Sequence, residues 1–205
     1  MIYISCEFTV PIGHYSDDDH LRCLKLEIYS YDQVSNKVTL GRIGADQLMI
    51  SDALNEGRIL FDICDQDSQG LYEAYVALFD GAGEFQQELE IEDPADHLIF
   101  VWMTIFHPRI HPYRQAIIDK VGTKFGYQSV LAMWHNTSEL TVGELAQLGF
   151  RKIAQNALIY RHSAWNNQFG TEHPRGIDVP LDFEPTLEDE EWVTKEVEEA
   201  DLDGP

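Results

Sequence analysis

In the first part of the chain, hydrophobic and polar positions alternate with a period of two, the pattern of half-buried strands. Residues 2–10 predict one such strand, which Pro11, Ile12 and Gly13 end. In LRCLKLEIYSY (21–31), Leu24, Leu26, Ile28 and Ser30 share a face and polar partners take the other, predicting a second strand. VSNK then makes a turn, and residues 38–43 form the returning strand of a hairpin. Residues 46–54 fit a short helix or a continuation of the sheet. Residues 59–64 are an apolar run of strand length, closed by the polar turn DQDSQG. The period then changes, because Leu71, Tyr75, Leu78, Phe79, Phe85 and Leu89 repeat at helical spacing, with Gly81 and Gly83 placed to split the helix.

Residues 98–162 carry the most information. LIFVWMTIF (98–106) is too short to cross a membrane and too rich in β-branched and aromatic residues for a comfortable helix, so it predicts a buried strand. HPRIHPYR follows, a basic and proline-rich turn. QAIIDKVGTKFGY then places Ala116, Ile117, Val121 and Phe125 near helical spacing. After it come the strand SVLAMWH, a short helical stretch with a Leu-Gly-Phe corner in ELAQLGFRKI, and a last strand. Alternation of this kind predicts an α/β (mixed α+β) fold, a central mixed sheet flanked by helices. The basic turn sits at a helix N-terminus. Backbone N–H groups, the helix dipole, Arg109 and Arg114 together suit an anion there.

Length and charge narrow the picture. The chain has 205 residues, 44% hydrophobic, enough for one good core, and we assign residues 1–177 to a single domain. Its formal charge of −22 disfavours direct nucleic-acid binding and favours a cationic small molecule or a basic protein. Half of that charge lies in residues 178–205, which hold 12 acidic residues and only Lys195 as a base. This acidic C-terminal extension predicts a solvated, partly disordered tail. Within it residues 186–201 fit a short amphipathic helix around Leu187, Trp192 and Val197, and the alternative to a solvated tail is a tethered acidic peptide that docks on a basic partner or screens the protein's own active site. Cys6, Cys23 and Cys64 are too scattered for a disulfide framework. With no signal-peptide pattern and no apolar run of about 20 residues, the expectation is a cytoplasmic protein away from membranes.

Several constellations have a plain explanation. His14, Asp17, Asp18, Asp19 and His20 match no metal-binding spacing and read as a solvated turn. His107 and His111 are four apart, but Pro108 and Pro112 argue against a helix, leaving hydrogen bonding within the turn or charge at low pH. Trp165, Asn166, Asn167 and Phe169 form a patch that suits a sheet-edge cap or a binding surface equally. No Gly-x-Ser-x-Gly elbow, phosphate-loop or dinucleotide fingerprint is present.

The strand 98–106, the turn from His111 to Arg114, the helix after it, SVLAMWH with Asn136, and ELAQLGFRKI together resemble the GNAT superfamily of N-acyltransferases. The resemblance covers about a third of the chain. It implies a central strand that splays from its neighbour and pairs its free backbone with the pantetheine arm of acetyl-CoA, bordered here by Met103, Ile105 and Phe106. It also implies a turn that holds the pyrophosphate, here Arg114, Gln115 and Ala116, on to Ile118. Ile117 stands where the family's first glycine belongs, and Asp119 where a second small residue belongs. Both disfavour a diphosphate. The family's frequent Tyr before the Gly-Phe corner is replaced by Leu145 or a neighbour, and the base candidates are Glu73 and His135, with Glu84 and His107 also available. The expected function is acetyl transfer from acetyl-CoA to a cationic amine. The alternative is a catalytically inactive GNAT-like acidic protein that binds a basic partner, as a nucleic-acid mimic would.

Overall fold

The computed structural model describes residues 1–9, 20–91, 95–125, 129–153, 156–162, 176–177 and 181–203. The His14–Asp19 part of the acidic turn and the Trp165 to Phe169 patch lie outside them. β1 (Ile2–Thr9), β2 (Leu21–Tyr31) and β3 (Lys37–Met49) form an antiparallel meander. Three helices follow, α1 (Ile50–Asn55), α2 (Leu60–Asp67) and α3 (Gln69–Leu78), before β4 (His97–Phe106) returns antiparallel to β3. A 3-10 turn, Pro108–Tyr113, runs directly into α4 (Arg114–Phe125), and β5 (Ser129–Trp134) lies parallel to β4. α5 (Val142–Gln147), β6 (Arg151–Lys152), β7 (Leu158–His162), β8 (Gly176–Ile177) and α6 (Leu187–Asp203) complete the chain. The fold is therefore mixed α+β. Its sheet has the order β6-β7-β5-β4-β3-β2-β1-β8.

Each face of the sheet has its own core. Leu24, Leu26, Ile28, Ile99 and Val101 meet Ile117, Ile118 and Val121 of α4 and Leu145 of α5 on one side. Leu48, Leu98, Phe100 and Val130 meet Ile63, Leu71, Ala74 and Leu78 of α2 and α3 on the other. Bulges set which residue faces which core. The β3–β4 register shifts between Gly44 and Ala45, so Trp102 is an extra residue on β4. Strict alternation would turn Phe106 away from Val101, and the extra residue returns both to the core beneath α4.

These contacts correct two expectations and decide one that the sequence leaves open. Residues 59–64 are not a strand: from Leu60 they belong to α2, which buries Leu60, Ile63 and Cys64 at helical spacing while Ile59 and Phe61 stay 63% and 39% exposed. Residues 46–54 divide, the first four extending β3 and the rest forming most of α1. The helix expected to run on through Phe85 and Leu89 stops at Leu78, and Phe79 pairs with Phe85 across a turn in which Gly83 takes φ +79°. Ser68, which accepts the Leu71 N–H at 3.2 Å, supplies the start signal of α3.

The Leu-Gly-Phe corner is present as read. Thr141 and Glu144 cap the start of α5 reciprocally, and Gly149, at φ +80°, lets the Phe150 N–H return to the Leu145 carbonyl at 3.0 Å. The acidic extension differs from a solvated tail, since residues 187–203 form a 17-residue helix packed on β3 and β4. Its buried stripe is Asp189, Val193 and Val197, whereas Leu187 points to solvent.

Candidate functional site

β4 outruns β5. Their parallel pairing ends at Val101 and Met133, and the last five residues of β4, Trp102 to Phe106, continue with no strand on that edge among the described residues. β5 keeps its other neighbour, because Trp134 pairs with Leu158 of β7. The split is bridged at one point, where the Thr104 hydroxyl donates to the Thr137 carbonyl. An unpaired strand edge offers backbone donors and acceptors at a regular spacing, the requirement for holding an extended amide-bearing chain.

A groove of about 520 Å³ lies along this edge, lined by Thr104, Ile105, Phe106, His111 and Glu139 and closed by Trp192, Glu196 and Glu199 of α6. The first turn of α6 is anchored by Asp189. Arg109 Nη1 donates to both Asp189 oxygens at 3.0 and 2.9 Å, and the guanidinium lies 3.9 Å over the Phe183 ring. Burial alone would raise the Asp189 carboxyl, but hydrogen bonds from Thr186 and Arg109 outweigh it and hold it below the usual carboxylate range. His107 lies 3.4 Å from the same carboxylate and edge-on to Trp192. Burial lowers its pKa, and with Arg109 and His111 it outweighs the upward pull of Asp189, so at neutral pH this contact is polar rather than ionic.

A second cavity, about 570 Å³, opens where the pairing of β4 and β5 ends. Asp46, Asp67, Glu73, Phe100, Trp102, Met103 and Trp134 line it, with Ala200 of α6 at its rim. Trp102 packs against Gly44, where any Cβ would come within 2.4 Å of the indole, so the ring is fixed by glycine opposite it. Asp46 lies on β3 opposite Phe100 of β4 and Cys23 of β2. Burial first, and then the charge of Asp67, push its carboxyl up to about 7 against the Trp102 side chain, which draws it down. A carboxyl poised there exchanges protons near neutrality.

That shift has a stability consequence. A carboxyl at about 7 in the fold and at 3.8 unfolded favours the folded state only while protonated. Its penalty is therefore absent below pH 4, grows as the pH rises toward 7, and is full above it. Asp46→Asn is expected to stabilise the protein at pH 8, with a ceiling of roughly 4 kcal/mol at about 1.4 kcal/mol per unit, and to leave stability at pH 4 almost unchanged. Urea unfolding at the two pH values measures it. An equal change at both would remove Asp46 as the titrating group.

The structure gathers some expected residues and separates others. Met103 borders the second cavity, and Ile105 and Phe106 line the groove, although the Phe106 side chain is buried in the core. Glu73 lines the second cavity and accepts from Gln69 at 2.8 Å. His135 follows β5 in a turn, its Nε2 buried without a hydrogen-bond partner, and it lines neither cavity. Arg114, Gln115 and Ala116 start α4 outside the groove. Arg114 lies 3.9 Å from Glu144, Gln115 donates to Gln147 at 3.2 Å, and Ala116 packs on the core. Arg114 keeps a buried Nε with no partner, a spare donor, but its backbone N–H is already given to the His111 carbonyl. Of the turn histidines, His107 Nδ1 accepts the Arg109 N–H at 3.3 Å and His111 Nε2 sits 3.0 Å from the Phe106 carbonyl, the hydrogen-bonding role expected of them. Burial pushes the Cys64 thiol up to about 12 and raises Cys6 and Cys23, which argues against a thiolate nucleophile at any of them.

Asp46, Asp67, Trp102 and Trp134 were not singled out from the sequence. The available signal was Asp46 itself, an acid beside Ala45 in a segment otherwise suited to burial. Among the described residues, no helix is long and apolar enough to cross a membrane and no group of three His, Cys, Asp or Glu side chains is placed to hold a metal ion. Set against protein-family models, curated proteins and solved structures, the chain finds no match.

Proposed function

We propose that the protein is a GNAT-like N-acyltransferase that moves an acyl group, acetyl being the expected one, from an acyl-CoA to a cationic amine. The observation that carries this reading is the free edge of β4, which outruns β5 where the family resemblance requires a splayed central strand. The thioester arm fits this edge. In the reaction, the amine nitrogen bonds to the thioester carbonyl carbon, the C–S bond breaks, and the amine loses a proton while the thiolate leaves. Asp46 is better suited than Glu73 or His135 to take that proton, being less solvated than Glu73 and lining the cavity that His135 does not reach.

The diphosphate end fits less well. Ile117 is built into the core, Asp119 is ion-paired with Arg161 at 2.9 Å, and Glu139, Glu196 and Glu199 line the groove. These residues favour a second reading, an inactive GNAT-like scaffold whose acidic surface engages a basic protein. Calorimetry of the full chain with acetyl-CoA, run with a thiol-release assay on a simple amine, decides between them. Heat of binding with thiol release is expected. Neither signal at millimolar acetyl-CoA would end the acyltransfer reading in favour of the second.

A further inference from the structure

The second cavity combines aromatic walls with negative charge. Its walls are aromatic, with Phe100 and Trp134 edge-to-face at 6.1 Å and 88°, and Trp102 held by Gly44. Its charge is negative, from carboxylates on three separate elements: Asp46 on β3, Asp67 at the end of α2 and Glu73 on α3. Aromatic faces attract a cation but supply no oxygen ligands, and a hard metal ion needs six or more of them converging at one point. The described carboxylates do not converge in that way. An organic cation uses both features, its alkyl portion against the rings and its N–H groups on the carboxylates. Carboxylates spread over three elements suit charge that is spread as well, and about 570 Å³ exceeds what one small ammonium fills.

We propose that this cavity binds an aliphatic polyamine, its methylenes against Trp102, Trp134 and Phe100 and its ammonium groups on Asp46, Asp67 and Glu73. Binding as such needs no acyl transfer. Only the identification of the polyamine as the acyl acceptor rests on the reading above.

Binding should also move a proton. Asp46 is faced by Asp67 from α2, by Glu73 across the cavity, and by Cys23 from β2 with Lys25 nearby, while Cys64 lies behind Asp67. The Asp46 carboxyl itself titrates at about 7. An ammonium group beside it favours the carboxylate, so a polyamine arriving at pH 7 expels roughly half a proton per site.

The test is calorimetry of the full chain at pH 7 and 150 mM salt, with spermidine and 1,4-diaminobutane as probes, in phosphate and again in Tris. A single site is expected whose heat differs between the buffers by the ionisation heat of about half a proton. Asp46→Asn is expected to remove that difference and weaken spermidine at least tenfold, and Glu198→Gln on the exposed side of α6 to leave both unchanged. Three results would overturn the proposal: equal weakening by the two variants, which is what diffuse attraction to an acidic surface gives; binding of 1,4-butanediol as tight as that of the diamine; or tetramethylammonium binding more tightly than spermidine. Spermidine binding without thiol release in the acetyl-CoA assay keeps this inference and loses the acyltransfer reading. Thiol release with a neutral aromatic amine, and no spermidine binding, does the reverse.

Discussion

Ile117→Gly is expected to bring the protein close to unfolding rather than to create a diphosphate site. The substitution places glycine where the GNAT resemblance calls for it, so a turn that had merely lost its glycine would accept it. In the structure, however, Ile117 is 0% exposed and belongs to the core with Ile118, Val121, Met133 and Leu145. Emptying a buried Ile site costs about 2–5 kcal/mol, and glycine inside a helix adds up to about 1. The sum, roughly 2–6 kcal/mol, is a large share of the 5–15 or so that a domain of this kind has in total. Asp119→Ala should cost under about 1 kcal/mol, because Asp119 is 47% exposed and its pair with Arg161 is partly screened by water. Urea midpoints of the two variants test the contrast. If Ile117→Gly stayed within about 1 kcal/mol of the parent, Ile117 would not be the core residue described here.

That contrast also bears on the phosphate turn that the resemblance implies. From Pro108 the backbone enters a 3-10 turn and continues into α4 without a free start, so the Arg114 N–H is spent within the turn. The arginines that made the turn basic are placed against acids, Arg109 on Asp189 and Arg114 near Glu144. An anion site was a sound inference from composition and position. Pairing in three dimensions redirected one of its charges to α6.

Other parts of the fold were legible where one physical signal dominated. β1, β2 and the β4 segment announce themselves by alternation or by a dense apolar run, and α4 by its spacing. β3 was legible only to residue 43, and within that stretch a bulge at Leu40 shifts its phase: Val38 and Leu40 face the same core as Ile43 and Ala45, which strict alternation forbids. α2 was misread because an apolar run of strand length and a helix with two exposed apolar residues look alike without neighbours. The acidic extension was the hardest case. Its charge argues for solvation, and only the spacing of Asp189, Val193 and Val197 shows a face able to dock. The short amphipathic helix was the closer description, with a different apolar stripe. The candidate site was legible in Met103, Ile105 and Glu73. Asp46 was missed, because a lone acid in a segment that could be strand or helix carries no signal until its partners are known.

Releasing α6 is expected to raise affinity for acetyl-CoA at least tenfold. α6 lies against β3 and β4, and through Trp192, Glu196 and Glu199 it closes the groove beside the free edge of β4. A phosphate-bearing ligand entering that groove must displace the helix or meet two carboxylates at close range. Tenfold in affinity is only about 1.4 kcal/mol. Two like charges about 4 Å apart near a protein surface repel by about 4 kcal/mol, so loss of even part of that repulsion is sufficient. Two variants separate the helix from its charge. A chain ending at Pro185 removes both. Val193→Asp, at a position 0% exposed, undocks the helix but keeps every carboxylate tethered nearby. Both should bind acetyl-CoA more tightly than the full chain by calorimetry, the shortened chain more so, with far-UV circular dichroism confirming that the sheet is retained. Glu196→Gln with Glu199→Gln in the docked helix should recover part of the gain by removing charge alone. Unchanged affinity in all three variants would mean that α6 does not guard the groove, and that the split beside β4 is not where the thioester ligand enters.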